Sequence, residues 1–143
     1  DADRMIDLIT FNKIKPCINQ IETHLFCQRK NESGWLKKYG IAHQAYAPLG
    51  QGRANEMFEN ETVKEIAASH GKTPAQTALR FLVQNGISVI PKSVHAERIK
   101  ENIDIFDFVL TDEEMKALSA LDSVTPMIGK AENPDTTEFA MTW

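Results

Sequence analysis

The chain alternates between segments with helical and with strand-like spacing of apolar residues. Residues 3–12 place four apolar side chains near one side of a helix, and Pro16 ends this segment; the four are Met5, Leu8, Ile9 and Phe11. Residues 16–25 (PCINQIETHL) form an apolar run of strand length with polar residues at its far end. Residues 27–40 predict a polar helix that Gly34 weakens and Gly40 ends.

The second half of the chain repeats this order. Residues 41–50 (IAHQAYAPLG) predict a second strand, and a loop rich in Gly, Asn and Arg follows it. Two helices come next, one capped by Asn60 and ended by Gly71, the other opened by Thr73, Pro74 and Gln76. Residues 87–92 (ISVIPK) predict the third strand and residues 95–103 the helix behind it.

A last helix begins at a capping box, Thr111 with Glu114, and residues 122–143 form a tail without clear periodicity. Strands that alternate with helices predict a parallel sheet with right-handed crossovers, which is an α/β fold. We therefore expect one domain over residues 1–143, with β/α units in 1–121 and a C-terminal tail in 122–143.

Composition narrows the classes of protein. A chain of 143 residues with 42% hydrophobic and 25% charged residues predicts one globular domain. The net charge of −4 argues against nucleic-acid binding, and no apolar run is long enough to span a membrane. Because the chain starts with Asp1 rather than Met, we expect either processing or a piece of a longer protein.

The cysteines and histidines add little chemistry. Cys17 and Cys27 flank the first predicted strand, whose length separates them too far for a disulfide. We expect two reduced, buried or semi-buried thiols, which is typical of a cytoplasmic protein. Four scattered histidines without a Cys/His cluster argue against a zinc site.

Polar side chains gather where each predicted strand ends. Gln20, Glu22 and His24 close the first strand, Tyr46 the second, and Lys92 with Ser93 the third. Ligands of parallel α/β folds bind at the carboxyl ends of the strands. The repetition predicts a binding site at this edge of the sheet.

The third of these strand ends allows two interpretations. Lys92, Ser93 and Arg98 at the start of a helix favour phosphate binding, because free N–H groups and cations attract an anion there. The alternative is a solvated helix face on which Arg98 pairs with Glu97 or Glu101. The chain contains neither a GxGxxG nor a Walker motif that would decide between them.

The other candidates also have structural alternatives. Tyr46 could stack on a heteroaromatic ring or belong to the core, and Gln20 could read a ligand amide or anchor a loop. His24 could act in acid–base chemistry, but a hydrogen-bonded structural role is the more frequent one. These residues alone do not assemble a catalytic set.

Three segments resemble the last part of aldo-keto reductases, which are NADP(H)-dependent (β/α)8-barrel enzymes that interconvert carbonyl compounds and alcohols. The segments are INQIETH, AYAPLG and VIPKSVHAERIKENIDIFDFVLTDEEM, and the resemblance fades after about residue 125. It implies a partial (β/α)8 TIM barrel that covers the family's sixth, seventh and eighth strands with their helices.

The resemblance also implies a half-site for NADP(H). Gln20 would bind the nicotinamide carboxamide, Tyr46 would stack on the nicotinamide ring, and Leu49 would line the pyrophosphate passage. The remaining residues would hold the adenosine end: Lys92, Ser93 and Arg98 at the 2′-phosphate, and Glu101 and Asn102 at the adenine. Ala47 departs from the family's usual serine, so one cofactor hydrogen bond is missing.

The family's catalytic Asp, Tyr, Lys and His lie in earlier strands and have no counterpart here, so no residue is assigned a catalytic role. The favoured interpretation is the C-terminal, cofactor-binding part of an NADPH-dependent reductase of aldehydes and ketones, inactive alone. The alternatives are a non-catalytic half-barrel module that assembles with itself or another chain, a proteolytic remnant, or a sequence without its first half. Expected partners are a carbonyl substrate in the intact enzyme and either the missing N-terminal half or a second copy.

Overall fold

The computed structural model describes residues 2–128 and residue 138, and it contains a three-stranded parallel sheet. The strands are β1 (Ile18–Glu22), β2 (Ala42–Tyr46) and β3 (Ser88–Val89), adjacent in that order. Gln20 lies opposite Gln44, and Gln44 lies opposite Ser88, so these three side chains form one row across the sheet. The α/β fold with parallel strands that the sequence predicts is confirmed.

Helices connect the strands and follow the last one. Within the described residues they are α1 (Ala2–Phe11), α2 (Lys30–Tyr39), α3 (Ala54–Phe58), α4 (Glu61–Ser69), α5 (Pro74–Gln84), α6 (Ala96–Ile103) and α7 (Asp112–Ser119). The predicted caps are confirmed. Asn60 accepts the Val63 N–H at the start of α4, and both Thr73 and Thr111 open complete capping boxes.

Two predicted segments differ from the structure. The stretch after β2 is not only loop, because it contains the short helix α3. β3 is shorter than predicted, since the ladder ends where Ile90 N donates to Ala45 O (3.3 Å) and Pro91 has no N–H to continue it.

The core lies on the helix-facing side of the sheet. Ala45 and Ile87 meet Leu82 of α5 and Leu118 of α7 in the larger cluster, all at most 7% exposed. A second cluster joins α1 to α2 through Met5, Leu36 and Ile41. In α1, the predicted apolar side is only partly buried, because Leu8 and Phe11 are 49% and 82% exposed.

The opposite face of the sheet is open. Ile18 at the start of β1 is 54% exposed and Ile90 after β3 is 42% exposed, while Gln20 and Ser88 between them are exposed as well. Parallel sheets are normally covered on both faces. Within the described residues this chain covers one.

Both cysteines are free thiols, as predicted. Cys27 is buried, but the expected burial of Cys17 is wrong, because it lies exposed just before β1, at the open edge of the sheet. No helix in the described part of the chain is long and apolar enough to cross a membrane.

Candidate functional site

A cleft of about 870 Å³ opens where β2 and β3 end. One wall is the loop after β2 together with α3, and the other is the turn after β3 together with α6. Six of the eight candidate residues line this cleft: Leu49, Lys92, Ser93, Arg98, Glu101 and Asn102. The structure therefore brings together the residues expected at the pyrophosphate, the 2′-phosphate and the adenine.

The loop after β2 has an unusual backbone. Ala47, Gly50, Gln51 and Gly52 all have positive φ, at 48°, 76°, 30° and 93°. Gly50 is required for space too, since a Cβ there would lie 2.9 Å from Met57 and from Met127. Non-glycine residues in sparsely populated backbone conformations concentrate at functional sites. The backbone of this loop therefore supports a functional role for this wall of the cleft.

Lys92 and Arg98 are exposed cations that line the cleft. Neither forms an ion pair within the described residues. The solvated-face alternative required Arg98 to pair with Glu97 or Glu101. Glu101 Oε1 instead accepts a hydrogen bond from Thr73 Oγ1 of the α5 cap. The pairing that would make Arg98 a purely structural residue is absent from this part of the chain.

Ser93 organises the turn into α6. Its Oγ accepts the His95 N–H at 3.1 Å and lies 3.3 Å from His95 O. His95 is the residue that precedes the first helical position, so this contact shapes the start of α6. The turn holds Lys92 beside the N-terminus of the helix that carries Arg98.

Gln20 and Tyr46 lie outside the cleft, on the open face of the sheet. Gln20 Nε2 donates to Gln44 Oε1 at 2.7 Å, and Tyr46 is half-buried one side-chain row further along β2. Gln20 is exposed in this structure, so the interpretation of it as a buried amide is wrong. Burial raises the pKa of the Tyr46 phenol, and the nearby Glu22 carboxylate raises it further.

His24 and Glu22 form a buried pair, and Glu22 lies opposite Tyr46 in the sheet. His24 Nδ1 accepts the Phe26 N–H (3.2 Å), so Nε2 carries the proton and donates to Glu22 Oε1 (3.2 Å). Burial lowers the pKa of His24. The same Glu22 oxygen accepts the N–H groups of Met127 and Ile128. The prediction that His24 is a hydrogen-bonded structural residue is confirmed.

Several residues that line the cleft were not foreseen from the sequence. Gln51, Gly52, Asn55 and Phe58 all come from the segment predicted to be a plain loop. A usable signal was present: Arg53 and Glu56 stand three residues apart and form a two-bonded pair at 2.8 and 2.9 Å, as on a helix. Among the described residues no cluster of three His, Cys, Asp or Glu side chains could hold a metal ion.

The sequence is similar to those of a known protein family. A sequence model described as the Aldo/keto reductase family matches residues 1–123. Aldose reductase B of Dictyostelium discoideum is 44% identical over 123 residues, which are 86% of this chain and 39% of that protein.

Two solved structures share the fold. MGS-M4, an aldo-keto reductase from a Medee basin deep-sea metagenome library, superposes with a TM-score of 0.89 at 37% identity, over 92% of this chain and 48% of that one. An aldo-keto reductase of Bombyx mori in complex with NADP gives 0.84 at 30% identity, over 92% and 45%. The predicted partial (β/α)8 barrel is confirmed, and the chain spans about half the length of the relatives it matches. The chain belongs to the aldo/keto reductase family.

Proposed function

We propose that this chain is the C-terminal, cofactor-binding part of an NADP(H)-dependent aldo-keto reductase that reduces aldehydes or ketones to alcohols. The observation that carries the proposal is the pair of cations, Lys92 and Arg98, that face one cleft without carboxylate partners among the described residues. Unpaired cations beside a helix N-terminus favour an anion, and the 2′-phosphate is the anion that separates NADPH from NADH. A Bombyx mori relative with the same fold is known in complex with NADP.

The cleft fits the adenosine end of this cofactor. Arg98 offers a planar guanidinium to the 2′-phosphate, and Lys92 adds a point charge. Ser93 provides a hydroxyl beside them, although its oxygen also shapes the turn into α6. Glu101 and Asn102, on the next turn of α6, line the same cleft and would meet the adenine.

The nicotinamide end is assigned to the open face of the sheet. Leu49 would line the pyrophosphate passage, with Tyr46 stacking on the nicotinamide ring and Gln20 binding its carboxamide. Gln20 can turn to the carboxamide by releasing one side-chain hydrogen bond, that to Gln44. Ala47 supplies no hydroxyl, so this end has one hydrogen bond fewer than the family usually makes.

When bound, the nicotinamide supplies a hydride to the carbonyl carbon of the substrate. The residues of this chain would bind and orient the cofactor for that transfer. Protonation of the carbonyl oxygen falls to a tyrosine of the family that has no counterpart in this sequence, so we assign no catalytic residue here.

Replacing Arg98 by Ala tests the phosphate assignment. A charge-assisted hydrogen bond contributes ~1.5–3 kcal/mol, which is about tenfold to a hundredfold in affinity. We expect Arg98→Ala to weaken NADPH by that factor and to leave NADH within a few-fold, because NADH carries a hydroxyl in place of the phosphate. Titrating both cofactors by fluorescence or calorimetry at fixed salt measures the two dissociation constants.

Lys100→Ala is the matched control. It removes one positive charge from the same helix, but Lys100 does not line the cleft. It lines a separate groove together with Val89, Ile103 and Phe106. NADPH affinity should change little in this variant. Equal losses of NADPH and NADH in Arg98→Ala, or equal losses in the two variants, would contradict the phosphate assignment.

We further propose that residues 1–143 act as a partial-barrel domain, with 122–143 as its tail, that another chain or segment completes. Exposed apolar side chains lie before β1 in the chain and beside β3. Phe11 and Ile14 belong to the segment before β1, and Ile103 and Phe106 line a groove with Val89 of β3, all four at least 65% exposed. The buried Glu22 Oε2 has no hydrogen-bond partner within the described residues, and an added strand could bring a donor to it.

The missing N-terminal β/α units of the family are the occupant that this arrangement favours, with a second copy as the alternative. A carbonyl compound would be the small-molecule partner of the completed enzyme. Free thiols support a cytoplasmic location, because reducing compartments keep cysteines unpaired.

A further inference from the structure

Helix α6 carries much of the proposed cofactor site, yet packing does not hold it in place. None of its eight residues is buried, and Ile99 and Ile103 are 55% and 69% exposed. A helix of two turns without a buried face has little intrinsic stability in water. Contacts other than apolar packing must therefore fix the positions of Arg98 and Glu101.

Polar contacts from the start of α5 meet the C-terminal half of α6. Thr73 Oγ1 donates to Glu101 Oε1. Gln76 Nε2 donates to Glu101 O at 3.3 Å and to Asp104 O at 2.8 Å. Lys72 adds an ion pair to Asp104 Oδ2 at 3.1 Å. The two bonds from Gln76 reach backbone carbonyls at the end of α6, and the carbonyl of Glu101 also accepts the Asp104 N–H at 3.1 Å.

Thr73 and Gln76 each act both as hydrogen-bond acceptors and as hydrogen-bond donors. As the capping box of α5, Thr73 Oγ1 accepts the Gln76 N–H at 3.2 Å, and Gln76 Oε1 accepts the Thr73 N–H at 3.0 Å. Capping uses their acceptor oxygens alone. The remaining donors, one O–H and one NH₂, point to α6.

The second capping box of the chain shows that a Gln at the third helical position is not needed for capping. There Thr111 pairs with Glu114, whose carboxylate completes the box equally well and also contacts His70 at 2.9 Å. A Glu in place of Gln76 would cap α5 but could not donate to the carbonyl groups of Glu101 and Asp104. The amide and the hydroxyl therefore serve α6 as well as α5.

We propose that Thr73 and Gln76 are positioning residues of the cofactor cleft, and that they orient α6 so that Glu101 meets the adenine. This inference rests on the proposed function. It adds that the adenosine side of the site is set from α5, through hydrogen bonds rather than through apolar packing.

A double-mutant cycle on Thr73 and Glu101 tests the inference in the full chain. Thr73→Asp keeps an excellent N-cap acceptor but replaces the donor with a second carboxylate facing Glu101. Glu101→Gln restores a donor, because the Gln amide can bond to Asp at position 73. NADPH affinity is measured for the parent chain, both single variants and the double variant, with Thr73→Ser as the conservative substitution.

We expect Thr73→Asp to weaken NADPH about tenfold or more, while Thr73→Ser binds nearly as the parent does. The double variant should bind at least about tenfold more tightly than the product of the two single losses predicts, since contacting residues couple. The urea midpoint should change little in Thr73→Asp because the cap is kept. A loss of stability equal to the loss of affinity, or additive losses in the cycle, would overturn the inference.

Hydrogen exchange of backbone amides tests the same inference without a cofactor. The amides of Ile99 and Asp104 bond within α6 and its C-cap, to His95 O and Lys100 O, whereas the Thr77 amide bonds to Thr73 O within α5. Thr73→Asp should lower protection of the first pair only, and Glu101→Gln should restore it.

The outcomes for the proposed function and for this inference are distinguishable. If Arg98→Ala weakens NADPH binding but the cycle is additive, only the positioning role of Thr73 and Gln76 is wrong. If Arg98→Ala has no selective effect, the proposed function falls, and with it the adenine role.

Discussion

His43 shows how much a single residue of this fold depends on being buried. It is 6% exposed, with Nδ1 at 2.7 Å from Ser33 Oγ and Nε2 at 2.8 Å from Thr23 Oγ1. Burial lowers its pKa to about 4, because a protonated ring would place a charge away from water. Nothing in the sequence around His43 marks it, since both partners come from other elements.

We expect the free energy of unfolding to fall as the pH drops from 6.5 towards 4. The unfolded chain takes up a proton on His43 near the ordinary value of 6.5, and the folded chain only near 4, so the unfolded state binds more protons between them. The loss should be roughly 1–3 kcal/mol, at 1.36 kcal/mol per pKa unit before solvent screening. Urea titrations at several pH values and one protein concentration measure it.

His43→Gln should reduce this pH dependence, because an amide can keep hydrogen bonds to both hydroxyls without titrating. The buried His24, whose pKa is also lowered, keeps its own share of the dependence. A parent chain equally stable at pH 7 and pH 4.5 would contradict the expectation for His43.

Residue-scale prediction succeeded where partners are close in sequence. Lys92, Ser93 and Arg98 belong to one strand–turn–helix junction, so their meeting in one cleft follows from local structure. Glu22 could not be interpreted in this way, since it binds the N–H of Met127, 105 residues further along the chain. The hydrogen bond between Thr73 and Glu101 is likewise a tertiary contact that no local sequence pattern predicts.

At the scale of elements, one glycine within α2 and one just after it have opposite roles. Gly34 stands exposed inside the helix, and a Cβ added there meets nothing within 4 Å. Gly40 ends the helix with φ of 64°, a conformation in which side chains other than glycine are strained. The sequence predicted both roles, a weakened helix and its C-terminal stop.

Gly34→Ala should stabilise the chain by ~0.5–1 kcal/mol, because alanine loses less backbone entropy in a helix. Gly40→Ala should destabilise it by ~1 kcal/mol, since it forces a Cβ into the left-handed conformation. Urea unfolding of both variants at one protein concentration compares them. If both substitutions move the midpoint in the same direction, the assignment of these two positions is wrong.

Element boundaries were predictable where caps define them and not where tertiary structure does. Thr73 and Thr111 opened their helices as expected, since a capping box is complete within four residues. β3 ended earlier than the apolar run 87–92 suggests, because only Ser88 and Val89 pair with β2 and Pro91 has no N–H to extend the ladder. α3 was missed because a helix of five residues shows too little periodicity.

At the scale of the whole molecule, the unpaired edges of the sheet predict association. β1 and β3 each have one strand partner in the described part of the chain, and their free edges expose N–H and C=O groups beside apolar side chains. We expect sedimentation at low micromolar concentration to show dimers or larger species. Phe106→Lys, at the β3 edge, should shift the chain towards smaller species. Lys37→Glu, at an exposed position of α2, is the control. A compact monomer that unfolds cooperatively would refute this expectation.

The same incompleteness predicts that the purified chain does not turn over aldehydes even where it binds NADPH. The cleft supplies cofactor contacts, but the family's tyrosine acid with its lysine, aspartate and histidine partners has no counterpart in the sequence. Acid catalysis alone contributes ~10²–10⁴-fold, and losing the whole set costs more. NADPH oxidation, followed by the absorbance of the reduced nicotinamide, should therefore give the same background rate with and without an aldehyde. Aldehyde-dependent oxidation that survives repurification and disappears in Arg98→Ala would show that the chain carries its own proton donor.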